Sequence, residues 1–352
     1  MVSLFSSLTL KLPLDHNIGI RNMPKIVVNK CRLCDIRNRV DLTSSNDQPD
    51  KLHDKNILIS GATGLVGSSL TCHLENSGMK VTKLTRNPKS SEDIFWDPDA
   101  MSLDISSLEG IDAVVHLAGE NISNGRWTKK QKAKILESRK LGTKLLSEAI
   151  AKLKSPPKAL ISASGINYYH LNKDKPYNES SSIGASFLSK VCNEWELATQ
   201  SSENAGIRVC HLRIGVVLST KGGALKKMLL PMRLGLGGVI GSGNQHMSWI
   251  TLDDLVNIIH AAIVDENWHG KINAVAEKPA TNKEFTKQLA KALKRPAIFP
   301  LPSFIAKLLF GQMAQETLLA DLPVYSSRLQ KLDFELSYPD LDEALTHLIE
   351  NG

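Results

Sequence analysis

The run Gly61-Ala62-Thr63-Gly64-Leu65-Val66-Gly67 is the stretch of this 352-residue chain whose residue types and spacing point most directly to chemistry. Its glycines recur every third residue, directly after the apolar run Ile57-Leu58-Ile59. An amphipathic stretch with Leu70 and Leu74 follows and is stopped by Asn76-Ser77-Gly78. Strand, glycine turn and helix in that order are the setting of a dinucleotide fingerprint. The glycines allow a tight turn and let backbone approach a pyrophosphate, and the helix N-terminus then faces the phosphates. The next strand, within "KVTKLTRNP", closes on Thr85-Arg86 before a proline. An NAD site usually places a carboxylate there to hold the ribose hydroxyls. A hydroxyl and a guanidinium suit a 2′-phosphate instead, so the cofactor expected is NADP(H).

These residues need a scaffold, and the rest of the first 275 residues supplies its pattern. "DAVVHLAGENI" reads as a buried strand ending in the small pair Ala118-Gly119, which leaves room for a ligand at the strand's carboxyl end. A long helical stretch carrying Arg139 follows. "PKALISASG" and "IRVCHLRIGVVL" read as further strands, separated by the helical run "SFLSKVCNEWEL". Strands alternating with helices predict a doubly wound parallel sheet of the Rossmann type.

Composition narrows the class. The chain is 42% hydrophobic and 22% charged, and no apolar run reaches the length of a membrane span. Most of the net charge of +7 sits in residues 1–40, where seven Lys/Arg face only Asp15 and Asp35. The remainder is nearly neutral, so no nucleic-acid partner is expected. Residues 1–54 are basic, lack glutamate and show no periodicity. They read as a disordered leader with the composition of a transit peptide, which would place the protein in a mitochondrion or another organelle, and otherwise in the cytoplasm. Five scattered cysteines give no disulfide framework. Cys31-x-x-Cys34 has no second ligand pair at zinc spacing, so no metal site is expected.

"GATGLVG", "HLAGENI", "RWTKKQKAKILESRKLGT", "GALKKMLLPMRLGLGGVIGSGNQHMSWITLDDLV" and "PLPSFIAKLLFG" together resemble the epimerase-family proteins of the atypical extended short-chain dehydrogenase/reductase class. That class includes the animal 39U branch and bacterial and plastid relatives labelled sugar-epimerase-like or division-inhibitor-like. The resemblance implies a Rossmann domain over 55–275, bound NADP(H), and a small, mainly helical C-terminal domain of unknown function over 295–350. It places the cofactor contacts on Gly61, Thr63, Gly64, Leu65, Val66 and Gly67, on Thr85 and Arg86, on Leu117, Ala118 and Gly119, and on Arg139 and Val217.

Against that family the chemistry is altered. Catalytic helices of short-chain dehydrogenases carry Tyr and Lys four residues apart on one face. Ser189-Lys190 and Glu194 keep the register, but the tyrosine position holds Ser186. A serine alcohol is a far weaker acid than a phenol and cannot substitute directly. The residues left for catalysis are Ser164 (with Ser162 as the alternative) to bind the reacting oxygen, Tyr168 or Tyr169 as a substitute phenol, and Lys190 on a ribose hydroxyl. Met247 stands where nucleotide-sugar epimerases place an arginine on the substrate diphosphate, and a thioether cannot grip one. Asp253-Asp254 reads as a helix cap. The function expected is an NADP(H)-dependent oxidoreductase on a small, partly apolar substrate. The alternative is a non-enzymatic dinucleotide-binding protein that meets a protein partner through its C-terminal domain.

Overall fold

Residues 55–171 and 176–352 are described in this computed structural model. The expected leader over 1–54 lies outside the described residues. The Rossmann portion opens with β1 (Asn56–Ser60), α1 (Leu65–Asn76), β2 (Lys80–Thr85), β3 (Ile94–Asp97), β4 (Ser102–Leu103) and β5 (Ala113–His116). It continues through α2 (Lys129–Ile150), β6 (Ala159–Gly165), α3 (Phe187–Leu197), α4 (Gln200–Asn204), β7 (Arg208–Ile214) and β8 (Val216–Leu218). After α5 (Gly223–Arg233) come β9 (His246–Met247), β10 (Trp249–Thr251), α6 (Leu252–Val264), β11 (Gly270–Ala274) and β12 (Ala280–Thr281). The chain ends with α7 (Asn282–Leu293), α8 (Ser303–Phe310), α9 (Gln312–Glu316), α10 (Ser327–Lys331) and α11 (Leu341–Asn351).

The main sheet runs β11-β7-β6-β5-β1-β2-β3-β4, and all neighbours are parallel except β3 and β4. Its central strands β1, β5 and β6 are almost wholly buried because helices cover both faces. The period of two is visible in β1. Ile57 and Ile59 join the core layer under α1 and α6, whereas Leu58 joins the opposite layer with Leu146 and Ile150 of α2. The chain moves outward from β1 to β2 on one side and crosses to β5 on the other. A crevice therefore opens at the carboxyl ends of β1 and β5, where such folds bind ligands. Ser60, Leu84 and His116 lie level at that edge.

A separate core holds the C-terminal elements, with Leu225 and Leu229 of α5, Phe285 and Leu289 of α7, and Ala344 and Leu345 of α11. Thr281 and Glu284 form a reciprocal capping box that fixes the start of α7. Asp253-Asp254 does sit at a helix start, but the cap itself is Thr251, whose hydroxyl accepts from the Asp254 amide. The buried Asp254 carboxylate reaches onward to accept from the Ser337 and Tyr338 amides. It thereby ties α6 to the C-terminal segment.

Candidate functional site

The glycine turn is built so tightly that side chains would not fit. Gly61 has φ +73°, and a Cβ there would stand 2.9 Å from the Leu117 carbonyl carbon. A Cβ on Gly67 would stand 2.2 Å from the Gly61 oxygen. In both cases the Cβ would meet backbone atoms, so no rotamer change relieves the clash. Gly64 caps α1, and Leu65 and Val66 in its first turn pack on the core. Leu65 also carries the Gly222-Gly223 turn, whose second glycine lies 3.5 Å from the Val217 oxygen by the same measure. Gly61, Gly64, Leu65, Gly67, Leu117 and Val217 are thus brought to one crevice. Thr63 is exposed above it. Thr85 ends β2, where its hydroxyl accepts from the Asn87 amide. Arg86 follows, exposed and without a hydrogen bond or ion pair among the described residues. β2 carries no carboxylate. The absent Cβ atoms, the α1 N-terminus and a free guanidinium at the β2 end together fit a dinucleotide with a 2′-phosphate.

Beneath the crevice runs a buried chain of hydrogen bonds. Ser60 Oγ lies 2.6 Å from His116 Nδ1, and His116 Nε2 lies 2.9 Å from Thr143 Oγ1. The Leu117 and Ala118 amides donate to Ser60 Oγ. The Ser60 proton therefore goes to Nδ1, and the imidazole hydrogen sits on Nε2 and donates to Thr143. Burial, reinforced by the Arg139 charge, pushes the His116 pKa down to about 4. A neutral ring thus fixes the strand end that carries Leu117, Ala118 and Gly119. Arg139 braces the same turn. Its Nη1 donates to the Glu120 and Ile135 carbonyls at 3.0 and 3.1 Å, and its guanidinium lies against Gly119 and over the Trp195 ring.

The corner formed by β6, β7, β11 and α3 is organised around a buried ion pair. Glu196 and Arg213 meet through two bonds of 2.7 Å, with both side chains almost wholly excluded from solvent. Burial alone would raise the Glu196 carboxyl, but the Arg213 bonds and charge outweigh it and hold it below the usual range. Ser164 lies beside Arg213 in register, and its hydroxyl donates to Glu196 Oε1 at 2.8 Å. Arg213 Nη1 donates to Tyr169 Oη, which donates to Asn273 Oδ1 at 2.7 Å. Burial pushes the Tyr169 phenol up to about 12. The Arg213 guanidinium carbon lies 3.5 Å from the Tyr168 ring centre, with the Lys271 ammonium 5.9 Å from that ring at the sheet edge.

The structure brings Ser164, Tyr168 and Tyr169 to this one pair. Lys190 is not part of that cluster; it is exposed and its side chain makes no hydrogen bond or ion pair among the described residues. Ser162 is buried two residues earlier in the same strand.

Ser186 occupies the N-cap of α3, not its interior. Its Oγ accepts from the Ser189 amide at 3.0 Å and lies 2.8 Å from Ser189 Oγ. The helix begins at Phe187, so position 186 lacks the helical backbone that a relay residue one turn before Lys190 would have. The Phe187 and Leu188 amides are taken by the two carboxylate oxygens of Glu316 from α9. Glu196, Arg213, Asn273 and Glu316 were not singled out from the sequence. Arg213 did leave a signal, since a charge inside the strand "RVCHLRI" must be buried and therefore paired.

A chain with this sheet, this crevice and this turn belongs by architecture to the dinucleotide-binding folds of the extended short-chain dehydrogenase type. The NAD dependent epimerase/dehydratase family matches residues 57–276, and a domain of unknown function (DUF1731) matches 301–348. The epimerase family protein SDR39U1 of Homo sapiens is 39% identical over 296 residues, covering 83% of this chain and 99% of that one. The crystal structure of human SDR39U1 (isoform 2) with NADPH superposes with a TM-score of 0.78 and 38% identity. That alignment covers 84% of this chain and 99% of the other. UDP-glucuronic acid 4-epimerase from Bacillus cereus, solved with UDP-glucuronic acid and NAD, is 21% identical with a TM-score of 0.67, covering 84% of this chain and 99% of that one. At that identity it shares the fold alone. The chain is a member of the NAD dependent epimerase/dehydratase family, and it is similar over nearly its whole described length to the SDR39U1 proteins.

Proposed function

We propose that the chain binds NADP(H) and acts as an oxidoreductase on a small, partly apolar substrate admitted at the carboxyl ends of β5, β6 and β7. The glycine cradle, paired with Arg86 at the end of a strand that carries no carboxylate, is the observation behind this reading. The NADPH in the human relative's crystal structure supports it. When bound, the nicotinamide supplies a hydride donor or acceptor. Arg86 and Thr85 hold the 2′-phosphate, and Leu117, Ala118, Gly119 and Val217 wall the base and ribose. Arg139 keeps the Gly119 turn in place from behind. Ser164 accepts or donates at the reacting oxygen after releasing Glu196, Tyr168 is the candidate phenol, and Lys190 serves a ribose hydroxyl. Because position 186 has no phenol, turnover is slow in this reading; a positioned acid contributes roughly a hundred- to ten-thousandfold.

A second reading, a dinucleotide-binding protein without turnover, is favoured by one specific feature. The Ser164 and Tyr169 hydroxyls are both committed inside the corner, to Glu196 and to Asn273. A nucleotide-sugar epimerase ranks last. Met247 sits in β9 opposite Ala280, where it offers no charge to a diphosphate.

Titration calorimetry with NADPH and NADH tests the cofactor, with NADPH expected to bind about tenfold tighter or more, a difference of about 1.4 kcal/mol. Arg86→Ala should remove most of that preference, and equal wild-type affinities would overturn the assignment. NADPH oxidation across a panel of aldehydes and ketones separates the two readings. Slow turnover abolished by Tyr168→Phe supports the enzyme, whereas tight NADPH binding with no turnover supports the second reading.

A further inference from the structure

Two segments outside the cofactor crevice leave their apolar side chains in solvent. Eight of the twelve large apolar residues exposed among the described residues fall between Leu230 and Leu309. In α5, Leu225, Leu229 and Met232 face the core, while Leu230 and the following Leu234 project outward at 68% and 63% exposure. Leu236 continues that surface. The backbone beyond it pairs with the segment before α8, the Phe299 amide donating to the Gly237 carbonyl and the Leu301 amide to Val239. Phe299 is thereby set beside Leu236. In α8, "SFIAKLLF", the fully buried residue is Ala306, whereas Phe304 and Leu308 stand one turn apart at 68% and 69% exposure. A helix this apolar is ordinarily buried. Here Phe304, Leu308 and Leu309 are left in solvent.

The charged residues within the two segments have one sign. Residues 223–241 and 294–311 contain six Lys/Arg (Lys226, Lys227, Arg233, Lys294, Arg295 and Lys307) and no Asp or Glu. All six are exposed, and none forms an ion pair among the described residues. Exposed leucine and phenylalanine on segments whose own charges are all basic is the composition of a surface that lies on an anionic bilayer. A second copy of this face would bring like charges together. No helix among the described residues is long and apolar enough to cross a membrane.

We propose that α8 and the exit of α5 form a monotopic docking face that seats the protein on an anionic lipid surface, with Phe304, Leu308, Leu230 and Leu236 entering the headgroup layer. The test is flotation of the full chain with vesicles of phosphatidylcholine alone and of equal parts phosphatidylcholine and phosphatidylserine. Binding is expected to the mixed vesicles and weakly or not at all to phosphatidylcholine. Phe304→Ser with Leu308→Ser should lower binding about tenfold at an unchanged melting temperature, since both side chains are already in water. Leu230→Ser with Leu236→Ser should do the same from the other segment, so a folding defect in one pair leaves the other decisive. Lys294→Ala with Lys307→Ala should weaken binding severalfold and reduce its salt sensitivity. The basic residues 1–40 are present in every sample. Mixed-vesicle binding that persists undiminished in both apolar pairs would assign it to simple charge attraction and overturn the proposal. Failure of the folded wild type to float with either vesicle would also overturn it and leave the face to a protein partner.

Discussion

Around Gly61 the walls of the molecule are main chain, and around Arg213 they are side chains. The first region keeps its amides and carbonyls close and omits Cβ atoms, so a ligand's phosphates could meet backbone directly. In the second, Glu196, Ser164, Arg213, Tyr169 and Asn273 satisfy one another and leave few polar groups for a visitor. The contrast teaches what it costs to alter each. A backbone cradle tolerates no added atom, whereas a side-chain network tolerates no lost charge.

The largest effect is expected where charge is removed. Glu196→Gln leaves the Arg213 guanidinium buried beside a neutral amide, and breaking a buried pair in this way costs about 3–5 kcal/mol. Chemical denaturation should show that loss; a change below about 1 kcal/mol would mean water reaches the corner, and the contrast would fail. Next comes Gly67→Ala, whose methyl would stand 2.2 Å from the Gly61 oxygen. Stability should fall by about 3 kcal/mol and NADPH binding should be lost with it, because the turn must open. Normal binding by this variant would show that the turn is softer than its geometry.

The third prediction concerns acid. His116 is held neutral to about pH 4 in the folded state, and its ordinary value when unfolded is about 6.5. Between these values the unfolded chain binds the extra proton, so stability is full above about pH 6.5 and falls as pH drops toward 4, by about 3 kcal/mol. His260, also pushed down to about 4 by burial and by His73, adds to the slope in the same direction. His116→Asn should make the melting-temperature profile shallower across that window; an unaltered profile would place the titration elsewhere. The smallest effect belongs to Ser186→Ala. It removes a cap hydrogen bond worth about 1 kcal/mol and should leave NADPH affinity unchanged. A loss of affinity there would join the two regions that the comparison separates.

How much of this could be read beforehand follows from sequence distance. The β1 strand, glycine turn and α1 helix are consecutive, and period-two burial of Ile57, Leu58 and Ile59 is a local pattern. The β2 end is equally local, so Thr85-Arg86 could be placed without the fold. The corner was not legible because it depends on register. Ser164 meets Arg213 only through the pairing of β6 with β7, and Asn273 joins through β11. Ser186 was read as a vacancy in a catalytic helix. Its own identity offered a simpler sign, since serine immediately before an apolar helical run is a favoured N-cap. Arg139 reads in the sequence as reaching toward cofactor; in the structure its Nη1 bonds the Glu120 and Ile135 carbonyls and supports the Gly119 turn.

The Glu316 carboxylate bears on the order in which the protein is made. It serves the first amides of a helix that begins 129 residues earlier. While the chain is still on a ribosome, α3 is complete in sequence long before that cap exists, and its leading amides must use water. The β6–α3–β7 corner therefore cannot reach its final arrangement when its own strands have emerged; it waits for α9. Contacts of such long range slow folding. Nascent chains arrested before residue 316 should be open to proteolysis at α3 although β1 to β7 are already present, and release of α9 closes that window.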